Sequence, residues 1–191
     1  EYSSTTSRAV IQHDLTSGSN VYASLSEGFK AGGYATYECT EPYDPEEVTS
    51  LEFGYKGSLG ENTSLNASLF RYDYTDFQVL QVVGIQTVTR NAGDATVNGL
   101  ELEALSNLND SLSMSYGLTL LDATYGEFLN TNGLEPQLGQ QQLEGKYLNN
   151  APKVSVNLGL NYTTNLSSGS SLTYRANAAY KSKIYFSEFN E

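Results

Sequence analysis

Residues 91–104 read Asn-Ala-Gly-Asp-Ala-Thr-Val-Asn-Gly-Leu-Glu-Leu-Glu-Ala. After the Gly93-Asp94 turn signal the pattern alternates strictly. Asn98, Leu100, Leu102 and Ala104 share one parity, and Gly99, Glu101 and Glu103 share the other. A period of two is a β-strand with two unlike faces. One face is mainly apolar and the other carries two carboxylates. A soluble sandwich buries such an apolar face, whereas a membrane barrel turns it to lipid. The rest of the chain has to decide between them.

The same pattern recurs. Residues 8–15 put Ala9, Ile11, His13 and Leu15 on one face, and Val21, Ala23 and Leu25 alternate with Tyr22, Ser24 and Ser26. In residues 48–58, Leu51, Phe53 and Tyr55 oppose Ser50, Glu52, Gly54 and Lys56. A fourth strand starts at Thr63 and runs towards Phe77. Its apolar parity is Leu65, Ala67 and Leu69 at first, then Phe70, Tyr72 and Tyr74. Either a β-bulge or an exit from the membrane accounts for that switch. Residues 79–91 read as a loop or an exposed hairpin extension. Residues 111–123 carry Leu112, Met114, Tyr116, Leu118 and Leu120 on one parity. Two further strands follow, with Val154, Val156, Leu158, Leu160 and Tyr162, then Leu172, Tyr174, Ala176, Ala178 and Tyr180, on their apolar faces. That makes about eight strands.

Two regularities favour the barrel. Connections alternate between short and long, so an antiparallel meander gathers every long loop at one end, as outer-membrane barrels do. Aromatics also stand near strand ends on the apolar parity. Tyr55, Tyr162 and Tyr174 lie beside short turns and Tyr180 lies at the far end, in the manner of interfacial girdles. No apolar run reaches the roughly 18 residues of a membrane helix, which leaves a barrel untouched. The expected fold is all-β: an antiparallel meander forming part of a large transmembrane β-barrel.

Fifteen Tyr and seven Phe, with abundant Gly, Ser, Asn and Thr, suit strands and turns. A net charge of −12 speaks against a nucleic-acid partner, because phosphate binding needs clustered Lys and Arg. Cys39 is the sole cysteine and has no internal disulfide partner. The chain begins at Glu1 and stops just after a strand pattern, so it reads as a piece of a longer protein.

Several stretches resemble the TonB-dependent receptors of Gram-negative outer membranes. They are Val21-Tyr22-Ala23-Ser24 leading to Gly28-Phe29-Lys30-Ala31-Gly32-Gly33, and Tyr43-Asp44-Pro45-Glu46-Glu47-Val48 leading to Leu51-Glu52-Phe53-Gly54-Tyr55-Lys56. Phe70 with Tyr72-Asp73-Tyr74, Asn91-Ala92-Gly93-Asp94 with Gly99-Leu100-Glu101-Leu102-Glu103, and Asn150-Ala151-Pro152 complete the set. They follow the family's order for the later part of its barrel. The resemblance implies a 22-stranded barrel plugged by an N-terminal domain, in the outer membrane. It also implies uptake of ferric siderophores, cobalamin or other scarce nutrients, driven by TonB. Residues 1–191 then form part of the barrel domain, without the plug. Outer-membrane lipid, plug, TonB and a ferric chelate or other small nutrient are the implied partners.

The chemistry that the residues offer is binding rather than catalysis. His13 is the only histidine and lies on an apolar parity, where an interfacial aromatic would stand. With no second His or Cys there is neither a metal site nor a catalytic pair, and no cofactor is expected. Glu101 and Glu103 lie about 7 Å apart by strand geometry. That spacing invites a glycosidase reading, but lumenal carboxylates facing Lys56, Arg175 or a plug fit better. The acidic loop with Glu38, Glu41, Asp44, Glu46 and Glu47 suits a hard cation in composition, yet lacks ordered ligand spacing, so a solvated loop is expected. Tyr34, Tyr37 and Tyr43 are the candidate ligand-facing loop residues, set against simple packing or exposure. The expected function is an energised outer-membrane receptor fragment for a ferric siderophore or similar nutrient. A passive porin and a soluble β-sandwich for adhesion are the alternatives.

Overall fold

The structure, a computed structural model, describes residues 2–15, 18–35, 38–83 and 86–191, with the side chains of 38–41, 82–83 and 86–87 outside that description. Fourteen strands run in chain order: β1 Arg8–Asp14, β2 Asn20–Lys30, β3 Gly33–Ala35, β4 Glu38–Tyr43, β5 Glu46–Ser58, β6 Thr63–Thr75, β7 Gln78–Val83, β8 Gln86–Asn91, β9 Ala95–Asn107, β10 Leu112–Tyr125, β11 Leu129–Thr131, β12 Gln140–Gln142, β13 Val154–Asn165 and β14 Ser171–Lys181. A single 3-10 turn, Pro136–Leu138, separates β11 from β12. Eight strands form one sheet in the order β1-β2-β5-β6-β9-β10-β13-β14, each antiparallel to its neighbours in that order. The remaining strands are two-stranded hairpins, β3–β4, β7–β8 and β11–β12.

Those hairpins sit inside the long connections, all at one end of the sheet; the four short turns lie at the other. Residues 79–83 and 86–91 therefore belong to the paired strands β7 and β8. The third and fourth alternating segments begin and end within a few residues of their expected bounds, with β5 starting at Glu46 instead of Val48.

The cross-strand register puts the apolar parities on a single face. Ile11 pairs with Ala23, Ala23 with Phe53, Phe53 with Leu69, Leu69 with Leu100, Leu100 with Leu120 and Leu120 with Val154. A second row runs from His13 through Val21, Tyr55, Ala67, Leu102, Leu118 and Val156 to Tyr180. Among the described residues nothing covers this face: Ile11 is 73% exposed, Leu69 57% and Tyr180 60%. Such a continuous apolar surface is far larger than a water-soluble monomer displays. A sandwich needs a second sheet against it, and among the described residues the other sheets are only loop hairpins. The β-sandwich alternative is thereby set aside. Among the described residues no helix is long and apolar enough to cross a membrane.

β6 resolves the parity switch. Its register with β5 and with β9 runs unbroken from end to end, so there is no bulge. The outward face itself changes character. After Leu69 it carries Arg71 and Asp73, joined by a 2.7 Å ion pair, and Asn98 accepts from Arg71 at 3.4 Å. The apolar outer face ends there, and the inner face takes up the aromatics.

The buried core lies at the long-loop end. Ala92, Ala95, Ala123, Tyr125, Phe128, Leu143, Leu148 and Phe189 pack together, with Tyr74, Phe77, Val97 and Leu121 against them. Ala95, Val97, Ala123 and Tyr125 belong to the inner parity of β9 and β10. The β10–β13 connection, which supplies Phe128, Leu143 and Leu148, has thus folded over the inner face, above the level of the apolar outer rows.

Candidate site: the inner wall and the long-loop end

The inner face is built by residues two apart on each strand. Tyr22, Glu52, Lys56, Phe70, Tyr72, Glu101 and Glu103 all carry the parity opposite to the apolar rows. Two glycines make room for the rings. Tyr22 pairs with Gly54, and a Cβ there would come within 2.3 Å of the ring; Phe70 pairs with Gly99, where the distance would be 2.2 Å. Each ring lies flat over the backbone of the neighbouring strand, which only glycine permits at such an approach. Phe70 then stacks on Tyr72 with centroids 4.8 Å apart.

The Tyr22 hydroxyl donates to Glu52 Oε1 at 2.5 Å, and the Lys56 ammonium stands 5.2 Å from the centre of the Tyr22 ring. Glu101 and Glu103 point to the same side and are exposed. Glu103 shares an inner-face row with Lys56, each of them paired with Asn66 between them. Among the described residues the ion pairs are Lys30–Glu46 and Arg71–Asp73, while Arg175 sits across from Asn161. The two carboxylates thus make no ion pair among the described residues. Beside Glu103 a bay of about 600 Å³ opens over Gly117 and Gly159, edged by Asn66, Ser115, Asn157 and Asn177. This wall offers hydrogen-bond acceptors, amides and aromatic faces. It suits binding.

At the long-loop end the candidate tyrosines separate. Gly33 pairs with Tyr43 and Tyr34 with Pro42, so Tyr34 and Tyr43 occupy opposite faces of the β3–β4 hairpin. Tyr34 is 60% exposed. Tyr43 lies over Gly33, where a Cβ would come within 2.7 Å of its hydroxyl. Tyr37 lies outside the described residues. In the acidic loop, Glu46 is engaged by Lys30 at 3.9 Å and by the Gln78 amide at 2.7 Å. Among the described residues no three His, Cys, Asp or Glu side chains gather as a metal site. The side chains of Glu38, Cys39 and Glu41 lie outside the described residues. His13 is exposed on the outer face, paired with Val21 near a short turn.

Gln78 and Asn91 tie the loops together. The Gln78 side-chain amide donates to the carbonyls of Ala31 and Asp44, each at 3.1 Å. Asn91 accepts from the Asp44 amide at 2.7 Å and donates to the carbonyls of Asp44 and Asp76. Sequence reasoning missed this clamp, and also the inner aromatics Tyr22 and Phe70. The one usable signal for the latter was a glycine on the opposing parity of a neighbouring strand, and it becomes visible only once the register is known.

The family model for the TonB dependent receptor-like β-barrel matches residues 1–190. The chain belongs to the TonB-dependent receptor family. Barrels of this family are bacterial outer-membrane proteins, so the apolar rows face lipid and the inner parity faces the barrel lumen. Solved structures agree with the fold. The ferric yersiniabactin uptake receptor FyuA of Yersinia pestis matches 96% of the chain at 21% identity and a TM-score of 0.75. The ferric preacinetobactin receptor BauA of Acinetobacter baumannii matches 97% at 22% identity and 0.71. The copper transporter OprC matches 81% at 20% identity and 0.57. The chain spans 27%, 26% and 24% of these three proteins respectively.

Proposed function

We propose that residues 1–191 are a wall segment of an energised outer-membrane receptor whose cargo is a ferric siderophore or a comparable scarce nutrient. The observation that carries this reading is the pair of lumenal carboxylates, Glu101 and Glu103, exposed on the inner face and making no ion pair among the described residues. Charged groups left in that state on a lumen wall are suited to hydrogen-bond donors from a plug domain. A plugged lumen passes no large ligand by diffusion, so uptake needs work supplied from outside the barrel, by TonB. The long loops, with Tyr34 exposed among them, supply a binding surface ahead of the plug. Two receptors of ferric chelates among the structural neighbours support the choice of cargo, and the copper transporter supports a metal-laden one more broadly. The role is transport, not catalysis.

The test is uptake by cells carrying the full gene. We expect saturable, high-affinity uptake of a ferric chelate that stops when the proton gradient is collapsed or TonB is deleted, while surface binding persists. Uptake linear in concentration and indifferent to both treatments would make the protein a porin. Energised uptake with which ferric chelates do not compete would leave the mechanism standing and overturn the cargo.

A further inference from the structure

One cavity plays no part in the lumen wall. It has a volume of about 230 Å³ and is lined by Tyr147, Ala151, Lys153, Ser182, Lys183 and Tyr185. It lies at the long-loop end of the β13–β14 pair. Its position relative to the apolar face follows from the backbone. Val154 and Tyr180 are the last apolar outer residues of their strands, and the Ser182 amide donates to the Val154 carbonyl at 2.9 Å. Lys153 precedes Val154 by one residue and Lys183 follows Ser182 by one, both on the long-loop side of that hydrogen bond. The cavity therefore opens where the hydrocarbon-facing surface stops, at the depth of the polar interface.

Its lining is cationic in a chain of net charge −12. Neither lysine makes an ion pair among the described residues. Each instead stands over a tyrosine ring: Lys153 lies 3.9 Å from the Tyr147 centroid and Lys183 lies 4.3 Å from that of Tyr185. The two rings are themselves stacked, 6.2 Å apart and 7° from parallel. The Lys153 ammonium donates to the Tyr147 hydroxyl, a bond that raises its pKa above the ordinary lysine value and keeps it charged. That leaves the Tyr147 proton free to donate. Ser182 Oγ accepts from the Val154 amide at 3.1 Å, so its hydroxyl proton is free as well.

The frame is fixed before any ligand arrives. Asn190 accepts from the Tyr147 amide at 2.6 Å and donates to its carbonyl at 2.8 Å. The Asn150 amide donates to the Tyr185 carbonyl at 2.9 Å. Two ammonium groups and two hydroxyl donors held by backbone bonds around one small cavity form a pre-organised oxyanion receptor.

The geometry points to a phosphate-binding site at the interfacial rim, formed by Lys153, Lys183, Tyr147 and Ser182. The phosphate belongs either to a lipid headgroup or to a soluble anion, and the depth of the site favours the lipid.

The experiment uses the full-length receptor in a zwitterionic detergent, with native mass spectrometry as the readout. The probes are short-chain phosphatidic acid, short-chain phosphatidylcholine and inorganic phosphate. We expect phosphatidic acid to bind the wild type at least fivefold more tightly than it binds the K153M/K183M double variant. The K153R/K183R variant should retain binding, and phosphatidylcholine should bind neither. Inorganic phosphate competing only weakly assigns the site to lipid; competition as strong as that of phosphatidic acid assigns it to a soluble anion. Equal binding by wild type and K153M/K183M, with both folded by heat-modifiable electrophoretic mobility, overturns the site. Phosphatidylcholine binding as tightly as phosphatidic acid overturns it too, since a cationic cavity has to discriminate charge. None of these outcomes depends on which nutrient is transported.

Discussion

At the residue scale, the inner wall depends on which glycines lie beneath rings. Gly99 and Gly117 are both strand glycines on the inner parity, yet they differ in what a methyl group would meet. At Gly99 it would strike the buried Phe70 ring at 2.2 Å, while at Gly117 the nearest atom is Asn157 Cβ at 3.6 Å, an ordinary contact. In the full barrel Gly99→Ala should cost about 1–3 kcal/mol through overpacking. Gly117→Ala should stay within about 0.5 kcal/mol. Urea unfolding of both variants in lipid vesicles measures the difference, and equal costs would mean that Phe70 does not lie over Gly99. A second pair tests the faces. Leu158→Arg places a charge on the lipid side and should cost about 2–4 kcal/mol near the bilayer midplane. Asn157→Arg enters the lumenal bay and should cost much less. The alternation of Leu158 with Asn157 was plain in the sequence. The seating of Tyr22 over Gly54 was not, because it depends on two residues 32 positions apart meeting in register, and pairing register is a tertiary property.

At the scale of elements, β6 shows where local reading stops. Its aromatic run of Phe70, Tyr72 and Tyr74 looked like a change of face, but the strand keeps its face and the surroundings change. Below Leu69 the outside is lipid. Above it the outside is water, as the Arg71–Asp73 pair marks, and the inside is the loop core. One sequence cannot separate that case from a bulge, since both reverse the apolar parity. The long loops were legible as loops and the β7–β8 hairpin as one of two readings of residues 79–91, whereas the β3–β4 and β11–β12 hairpins and the clamp were not. Gln78 is buried and donates to two loop carbonyls, and each such bond contributes about 1 kcal/mol. Gln78→Ala should therefore quicken amide hydrogen exchange in residues 31–35 and at Tyr43 and Asp44 about tenfold, while β9 and β10 keep their protection. Unchanged exchange in the first loop would show that the clamp does not hold it.

At the scale of the whole molecule, the sheet has an apolar face open on one side, a polar wall on the other, and strand edges at β1 and β14 that lack a neighbour in the described sheet. Unpaired backbone groups cost several kcal/mol each in lipid, and the outer rows are equally unsuited to water. Residues 1–191 expressed alone should aggregate or require detergent. A monodisperse monomer in plain buffer with a cooperative melt would contradict that. The alternation of short and long connections revealed this layout from sequence alone, since an even meander leaves the long loops no other end to occupy. Everything proposed above rests on one assignment, lipid outside and lumen inside. It is tested most directly by a spin-label scan along β13 in the full-length receptor, on a Cys39→Ser background, in lipid vesicles. Labels at positions 154, 156, 158 and 160 should be relaxed by oxygen, and labels at 155, 157 and 159 by a water-soluble nickel chelate, in antiphase with a period of two. Accessibility to both reagents that rises and falls together, or that shows no period of two, would contradict the account.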